Sequence, residues 1–239
     1  EDALSTFSDA NHTVVVNSAT SALHIACKAL DVGPGDIVWT SAITFVASAN
    51  CALYCGANID FVDIDPVTNN ISVDALSKKL EYSEANGTIP KVLIPVHLSG
   101  QSCYMKEIYE LSKKYGFYIL EDASHAIGGS YEDKKIGSCQ YSDICVFSFH
   151  PVKIITSGEG GAALTNDHDL AHKMKLLSTH GITRDSVNMD FKPDGPWYYE
   201  QLYLGFNYRM TELQAALGLS QLSRIDKFIK RRNEIATRY

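Results

Sequence analysis

The sequence predicts an α/β protein built on a mainly parallel sheet. Short apolar runs alternate with longer amphipathic stretches from one end of the chain to the other, the pattern of strands joined by crossover helices. The 239 residues are 45% hydrophobic, enough for one large domain with a substantial core. No internal repeat or low-complexity linker divides the chain, so residues 1–239 read as one unit.

Each element has a local signal. Residues 13–17, "TVVVN", read as a strand, and residues 21–30 as a helix with Leu23, Ala26, Cys27 and Leu30 on one face. "VGPGD" breaks that helix. A strand at 37–40, a helix over 46–55 and a strand at 59–65 follow, then a helix at 72–80 capped by Ser72. Residues 91–98 read as a strand, 105–115 as a helix, and 117–124, 142–149 and 160–166 as strands. A helix at 167–180 opens at Asn166 or Asp167. The stretch from Gly181 to about Tyr208 is too rich in Pro, Gly and aromatics for a simple helix. One long helix, 211–232, capped by Thr211, closes the chain.

Composition excludes several classes. A formal net charge of −7 leaves no basic surplus for nucleic acid. The Lys230–Arg232 cluster reads as a solvated helix face. No segment has the length of a membrane-spanning helix, and the acidic, polar start does not resemble a signal peptide. The chain opens without methionine and stops in what reads as an unfinished helix, so a trimmed piece of a longer protein is expected. Its six cysteines form no C-x-x-C pair, and Cys51 and Cys55 lack companions at metal-ligand spacing. They read as buried thiols of a cytoplasmic protein, with no metal site.

In parallel sheets ligands sit beyond the carboxyl ends of the strands, which directs attention to Asn17–Thr20, Glu121–His125 and Ser148–Lys153. Asp122 ends an apolar strand, where a carboxylate is costly without a cation or strong donors. In "NSATSAL" the N–H groups of Ala19 and Thr20 and the hydroxyls of Ser18 and Thr20 form a candidate anion cradle. It is not a P-loop, because no lysine precedes Ser or Thr, and no G-x-G-x-x-G follows a strand. Ser148 adds a hydroxyl and Phe45 an aromatic face. Lys153 sits between apolar neighbours before the glycine-rich "SGEGG". A lone lysine is ordinarily a surface residue and a lone aspartate a cap. As a set they are the parts that hold pyridoxal phosphate: an amine for the Schiff base, a carboxylate for the ring nitrogen, and donors for the phosphate.

The segments "NSATSALHIA", "TSAITFVASANCALYCGA", "EDASHAIGGSY", "SDICVFSFHPVKIITSGEGGAALTND" and "LGFNYRMTELQAALGLSQL" resemble the DegT/StrS family of sugar aminotransferases, in the family's order and over nearly the full chain. The resemblance implies the three-layer sandwich of the fold-type-I aspartate aminotransferases, with residues 1–239 as the large domain that binds pyridoxal 5'-phosphate. It also implies a missing N-terminal segment and a missing smaller C-terminal domain. It makes Lys153 the Schiff-base and proton-moving residue and Asp122 the partner of the pyridine nitrogen. His125 would lie near the phenolic oxygen and Phe45 would stack on the ring. Ala19, Thr20 and Ser148 would hold the phosphate, and Asn207 would reach the cofactor of a neighbouring subunit, making a homodimer with shared sites. "HGITRD" and "GPWYYEQ" resemble the branch that makes UDP-4-amino-4,6-dideoxy-N-acetyl-β-L-altrosamine, on the route to pseudaminic acid, which implies a UDP-sugar substrate and L-glutamate as donor. The alternatives are another nucleotide sugar within the family, or a relative that keeps the fold without catalysis. A dehydratase is disfavoured, because that branch replaces the lysine with histidine.

Overall fold

The computed structural model describes residues 1–239. Its centre is a seven-stranded sheet made of β1 (His12–Val16), β2 (Ile37–Ser41), β3 (Asn58–Val62), β4 (Val92–Ile94), β5 (Tyr118–Asp122), β8 (Ile144–Ser148) and β9 (Gly161–Thr165). The spatial order is β1-β9-β8-β5-β4-β2-β3. Two small antiparallel pairs lie outside it: β6 (Ser130–Tyr131) with β7 (Lys134–Lys135), and β10 (Ile182–Thr183) with β11 (Glu200–Gln201).

The pairings β2–β3, β2–β4, β4–β5 and β5–β8 are parallel, while β9 runs antiparallel to both β8 and β1. A parallel return needs a crossover of about a dozen residues or more, usually a helix. The loop 149–160 carries Lys153 and no helix, so β9 folds straight back on β8, with Ser148 opposite Gly161.

Helices cover both faces, giving the three layers. On one face α2 (Ala19–Ala29), α3 (Ala47–Tyr54) and α6 (His168–Ser178) bury Leu23, Ala52 and Met174 against Val38, Ile94, Leu120 and Val146. On the other, α4 (Val73–Asn86) and α5 (Met105–Tyr115) pack Leu76, Leu80 and Ile108 against Trp39, Leu93 and Ile119. Beside them α1 (Asp2–Ser8), α7 (Glu212–Leu222) and α8 (Ile225–Ala236) cover Cys145, Phe147 and Leu164. Successive strand residues thus serve opposite layers, so both faces must be apolar.

Ser72 and Thr211 cap α4 and α7 as expected, and Asp167 rather than Asn166 caps α6. Two expectations need correction. The strand expected over 91–98 stops at Ile94, because Pro95 has no N–H for the ladder. The single closing helix is two helices broken at Ser223–Arg224. There the Ser220 carbonyl is taken by Ser223 Oγ at 2.9 Å and Arg224 Nε at 3.0 Å instead of continuing the helical ladder. Within the irregular stretch lies the β10–β11 ribbon, closed by Gly181, where a Cβ would stand 1.9 Å from the Tyr203 carbonyl oxygen.

Candidate active site

The carboxyl ends of β5 and β8 and the N-terminus of α2 surround one cavity of about 430 Å³. Seven of the eight residues to which the resemblance gives a cofactor role line it: Ala19, Thr20, Phe45, Asp122, His125, Ser148 and Lys153. The eighth, Asn207, does not. It is exposed on a segment strapped across the end of α6, where Phe206 N donates to Leu177 O at 2.7 Å and Tyr208 N to Ser178 O at 3.0 Å.

The cradle forms because Ser18 is extended (φ −165°) and its Oγ accepts the Ser21 N–H at 3.1 Å, starting α2. The Ser21 hydroxyl donates to Asn17 Oδ1 at 2.6 Å, so the Ser18 proton goes to Ser21 Oγ at 2.9 Å. That corrects one expectation: the Ser18 hydroxyl is consumed locally and does not face an anion. The N–H groups of Ala19 and Thr20, in the first helical turn, have no helical acceptor and border the cavity. Behind them lies Gly161, where a Cβ would come within 2.4 Å of Ala19 N. A glycine is required for β9 to pass this close to the helix.

Lys153 is held by the loop rather than by a helix. Its N–H donates to His150 O at 3.0 Å, and its carbonyl accepts from Arg232 Nη2 at 3.3 Å. The loop closes through Phe149 N to Gly160 O at 2.8 Å and Ser157 N to Phe149 O at 3.0 Å. Burial lowers the amine's pKa, and the charge of Asp122 opposes that shift. His125 is likewise lowered, by burial and then by Lys153, with Asp122 opposing. Its Nδ1 accepts the Ser99 N–H at 3.3 Å, so the ring is neutral there. Phe45 is 70% exposed at the cavity wall, an aromatic face without a partner.

Asp122 is buried, with one donor on each oxygen: Ser124 N at 3.1 Å to Oδ1 and Ser48 Oγ at 2.6 Å to Oδ2. Its neighbour Glu121 faces the other way. His97 Nε2 lies 2.7 Å from Glu121 Oε2, and the Ser142 hydroxyl donates to Oε1. Burial opposes a charge on His97 while the Cys103 and Glu121 side chains draw it toward protonation, but the Cys103 N–H donates to His97 Nδ1 at 3.1 Å. That lone pair must stay free of a proton, so the geometry supports a neutral ring donating through Nε2. His97 N also donates to Asp122 O at 3.1 Å, and Val96 and Leu98 on either side line the cavity.

Sequence reasoning missed Ser48, Ser124 and His150. Ser48 lies four residues after Thr44 at the start of a helix that follows a strand, a spacing visible in the sequence but too common to single out. A second, smaller cavity of about 70 Å³ lies between α1 and α7, is mostly apolar and contains none of these groups.

An amine with a depressed pKa, a buried carboxylate and a helix N-terminus around one cavity, on a three-layer sheet, define the class of fold-type-I pyridoxal-phosphate enzymes. The chain belongs to the DegT/DnrJ/EryC1/StrS aminotransferase family, whose model matches residues 1–239. It is 43% identical over 239 residues to the spore coat polysaccharide biosynthesis protein SpsC of Bacillus subtilis. It is 41% identical over 240 residues to a UDP-4-amino-4,6-dideoxy-N-acetyl-β-L-altrosamine transaminase of Campylobacter jejuni, and 41% over 239 to a GDP-perosamine synthase of Caulobacter vibrioides. Each match covers 100% of this chain and 59% of the relative, so the chain spans about three-fifths of their length. Among solved structures, Helicobacter pylori PseC, an aminotransferase of pseudaminic acid biosynthesis, aligns with TM-score 0.88 and 36% identity over 99% of this chain and 60% of that one. The pyridoxal-phosphate form of a sugar aminotransferase from Streptococcus pneumoniae, Spr1654, aligns with TM-score 0.84 and 30% identity over 100% and 62%.

Family and neighbours imply pyridoxal phosphate as cofactor. The residues present fit it: unpaired N–H groups for a phosphate, a carboxylate for a ring nitrogen, an aromatic face and an amine border the same cavity. No helix is long and apolar enough to cross a membrane.

Proposed function

We propose that this chain is the large cofactor-binding domain of an aminotransferase that aminates C4 of a UDP-linked 4-keto-6-deoxy-N-acetylhexosamine, with L-glutamate as amino donor. The observation that carries this reading is the convergence of Lys153, Asp122 and the α2 N-terminus on one cavity. The C. jejuni relative and the PseC neighbour favour the UDP-sugar, while the perosamine synthase keeps a GDP-sugar as the competing substrate. Bound pyridoxal phosphate supplies an electron sink and carries the amino group between donor and acceptor.

The chain's own residues do the rest. Ala19 and Thr20 N–H groups and the Ser148 hydroxyl would hold the phosphate at the positive end of α2. Asp122 would keep the ring nitrogen protonated, Phe45 would cover the ring face, and neutral His125 would lie toward the ring's oxygen. Lys153, its amine pKa lowered by burial, would act as general base toward the donor's α-proton and as general acid toward C4 of the acceptor sugar.

Asn207 lies outside this cavity and follows the exposed Trp197, Tyr199 and Tyr203 in the chain. That placement supports a C2 homodimer in which Asn207 completes the partner's phosphate site.

Borohydride treatment of protein loaded with pyridoxal phosphate should fix the cofactor on the peptide carrying Lys153. Label confined to other lysines would end the assignment. Full-length protein given glutamate and either UDP- or GDP-linked 4-keto-6-deoxy sugars should aminate the UDP compound at C4, read by mass and NMR. Mixing Lys153→Ala with Asn207→Ala subunits should restore part of the lost activity; no recovery, with subunit exchange demonstrated, would place Asn207 in its own subunit's function.

A further inference from the structure

We propose that Ser48, supported by Thr44, is a positioning residue that fixes the Asp122 carboxylate as a charged acceptor aimed into the cavity. The inference rests on the reading of Asp122 as the ring-nitrogen partner.

Ser48 is fully buried in the first turn of α3, and its Oγ lies 2.6 Å from Asp122 Oδ2. An ionised carboxylate only accepts, so the single Ser48 proton is committed to Asp122. The Thr44 hydroxyl, 2.8 Å from Ser48 Oγ, is then the donor in that contact, with the Phe45 carbonyl a second, longer acceptor at 3.3 Å. The result is a relay from Thr44 to Ser48 to Asp122 that ends on the carboxylate. Donors chained in this way polarise one another and strengthen the bond to the carboxylate. Ser124 N binds the other oxygen and fixes the plane of the group. Both donors leave acceptor capacity free on each oxygen. Phe45 lies between Thr44 and Ser48 in sequence, so the turn that presents the aromatic face also carries the two hydroxyls.

Other charges bear on Asp122. Lys153 and His125 line the same cavity, and the Cys145 thiol on β8 feels its charge. Glu121 is turned to the opposite layer and bound by His97 and Ser142. None of these donates a hydrogen bond to the carboxylate; Ser48 does.

The test needs a readout that does not depend on turnover. In the cofactor-free protein with 13C-labelled aspartate at neutral pH, Ser48→Ala should shift the Asp122 carboxyl 13C resonance, because the strong donor on Oδ2 is lost. Thr44→Val should move it the same way by less, and Ser48→Thr should restore it. Alanine suits a buried helical position, so the fold should survive, and circular dichroism checks this. If Ser48→Ala fails to fold, the Thr44→Val and Ser48→Thr pair decides. An unmoved Asp122 carboxyl resonance in the folded Ser48→Ala variant, or in Thr44→Val should that variant be the deciding one, overturns the proposal. A second arm loads protein with pyridoxal phosphate labelled at the ring nitrogen. A 15N shift that changes in Ser48→Ala supports the full chain of influence. A moved carboxylate with an unmoved ring nitrogen keeps Ser48 as the positioner of Asp122 and instead rejects Asp122 as the ring partner.

Discussion

Glu121 and Asp122 are consecutive carboxylates on one strand, equally buried at 5% and 4% exposure, and they differ in everything else. Because strand residues alternate sides, Glu121 enters the α4–α5 layer and Asp122 the cavity layer. Glu121 is enclosed by a ring nitrogen and a hydroxyl, and its imidazole partner is itself tied to the Cys103 backbone. Asp122 has one donor per oxygen and opens on a space lined by an amine. A buried charge with all its partners inside the protein serves architecture. One whose partner set is left incomplete toward a cavity is available for a ligand. Burial alone does not separate the two; the direction of the unused acceptor capacity does.

The sharpest way to break this contrast is to neutralise each carboxylate in turn. Asp122→Asn should lower transamination by the full-length protein by about 10²–10³-fold, the scale of a lost electrostatic contact at a reacting centre, while the thermal midpoint changes little. Glu121→Gln should do the reverse, losing stability with turnover per folded molecule largely kept. Near-normal turnover in Asp122→Asn would erase the distinction.

Second in size is His97→Leu. It leaves the Glu121 charge buried with only Ser142, and we expect a loss of about 3 kcal/mol in urea unfolding. Because the His97 ring also accepts the Cys103 N–H and so braces the loop that places Val96 and Leu98, cofactor affinity should fall as well. An unchanged unfolding midpoint would show that Glu121 needs no partner.

The same two residues mark how far the sequence could be read. Asp122 stood out because it ends an apolar run and precedes small residues, and the sheet topology then placed it as expected. The strands, the caps at Ser72 and Thr211 and the cavity lining were legible for the same reason: each depends on local pattern or on strand ends. Glu121, His97 and Ser48 were not singled out, because their roles arise from contacts 24 and 74 residues apart in the chain. The reversal of β9 and the break at Ser223 also escaped, the first decided by a loop's length and content and the second by two side chains competing for one carbonyl.

A smaller effect sharpens the comparison from the structural side. Ser142→Ala removes one of the two side-chain donors on Glu121 and leaves His97 in place. The expected cost is about 1–2 kcal/mol in the unfolding midpoint, with cofactor binding unaltered, because Ser142 lies outside the cavity. A loss of cofactor affinity would show that Glu121 itself, and not only the loop that His97 braces, acts on the site.

The smallest effect comes from the cation that faces Asp122. Burial lowers the Lys153 pKa in the folded chain, with Asp122 opposing. Between the folded value and the ordinary lysine value the unfolded chain binds more protons, so stability rises with pH across that window. Below it, at neutral pH, the cofactor-free fold bears the whole cost of keeping an ammonium partly out of water. Lys153→Met removes that charge and keeps an unbranched chain, so the cofactor-free variant should melt about 1–2 °C higher at pH 7. The gap should close as pH passes the ordinary lysine value of about 10.4. In an Asp122→Asn background the opposing carboxylate is gone, so the same substitution should produce a larger gap at pH 7. Glu121→Gln, on the far layer, should leave the gap as it is. A gap that widens with pH, or that responds equally to the two carboxylates, would mean that Lys153 does not answer to Asp122 and that the cavity-facing carboxylate is no different from its neighbour.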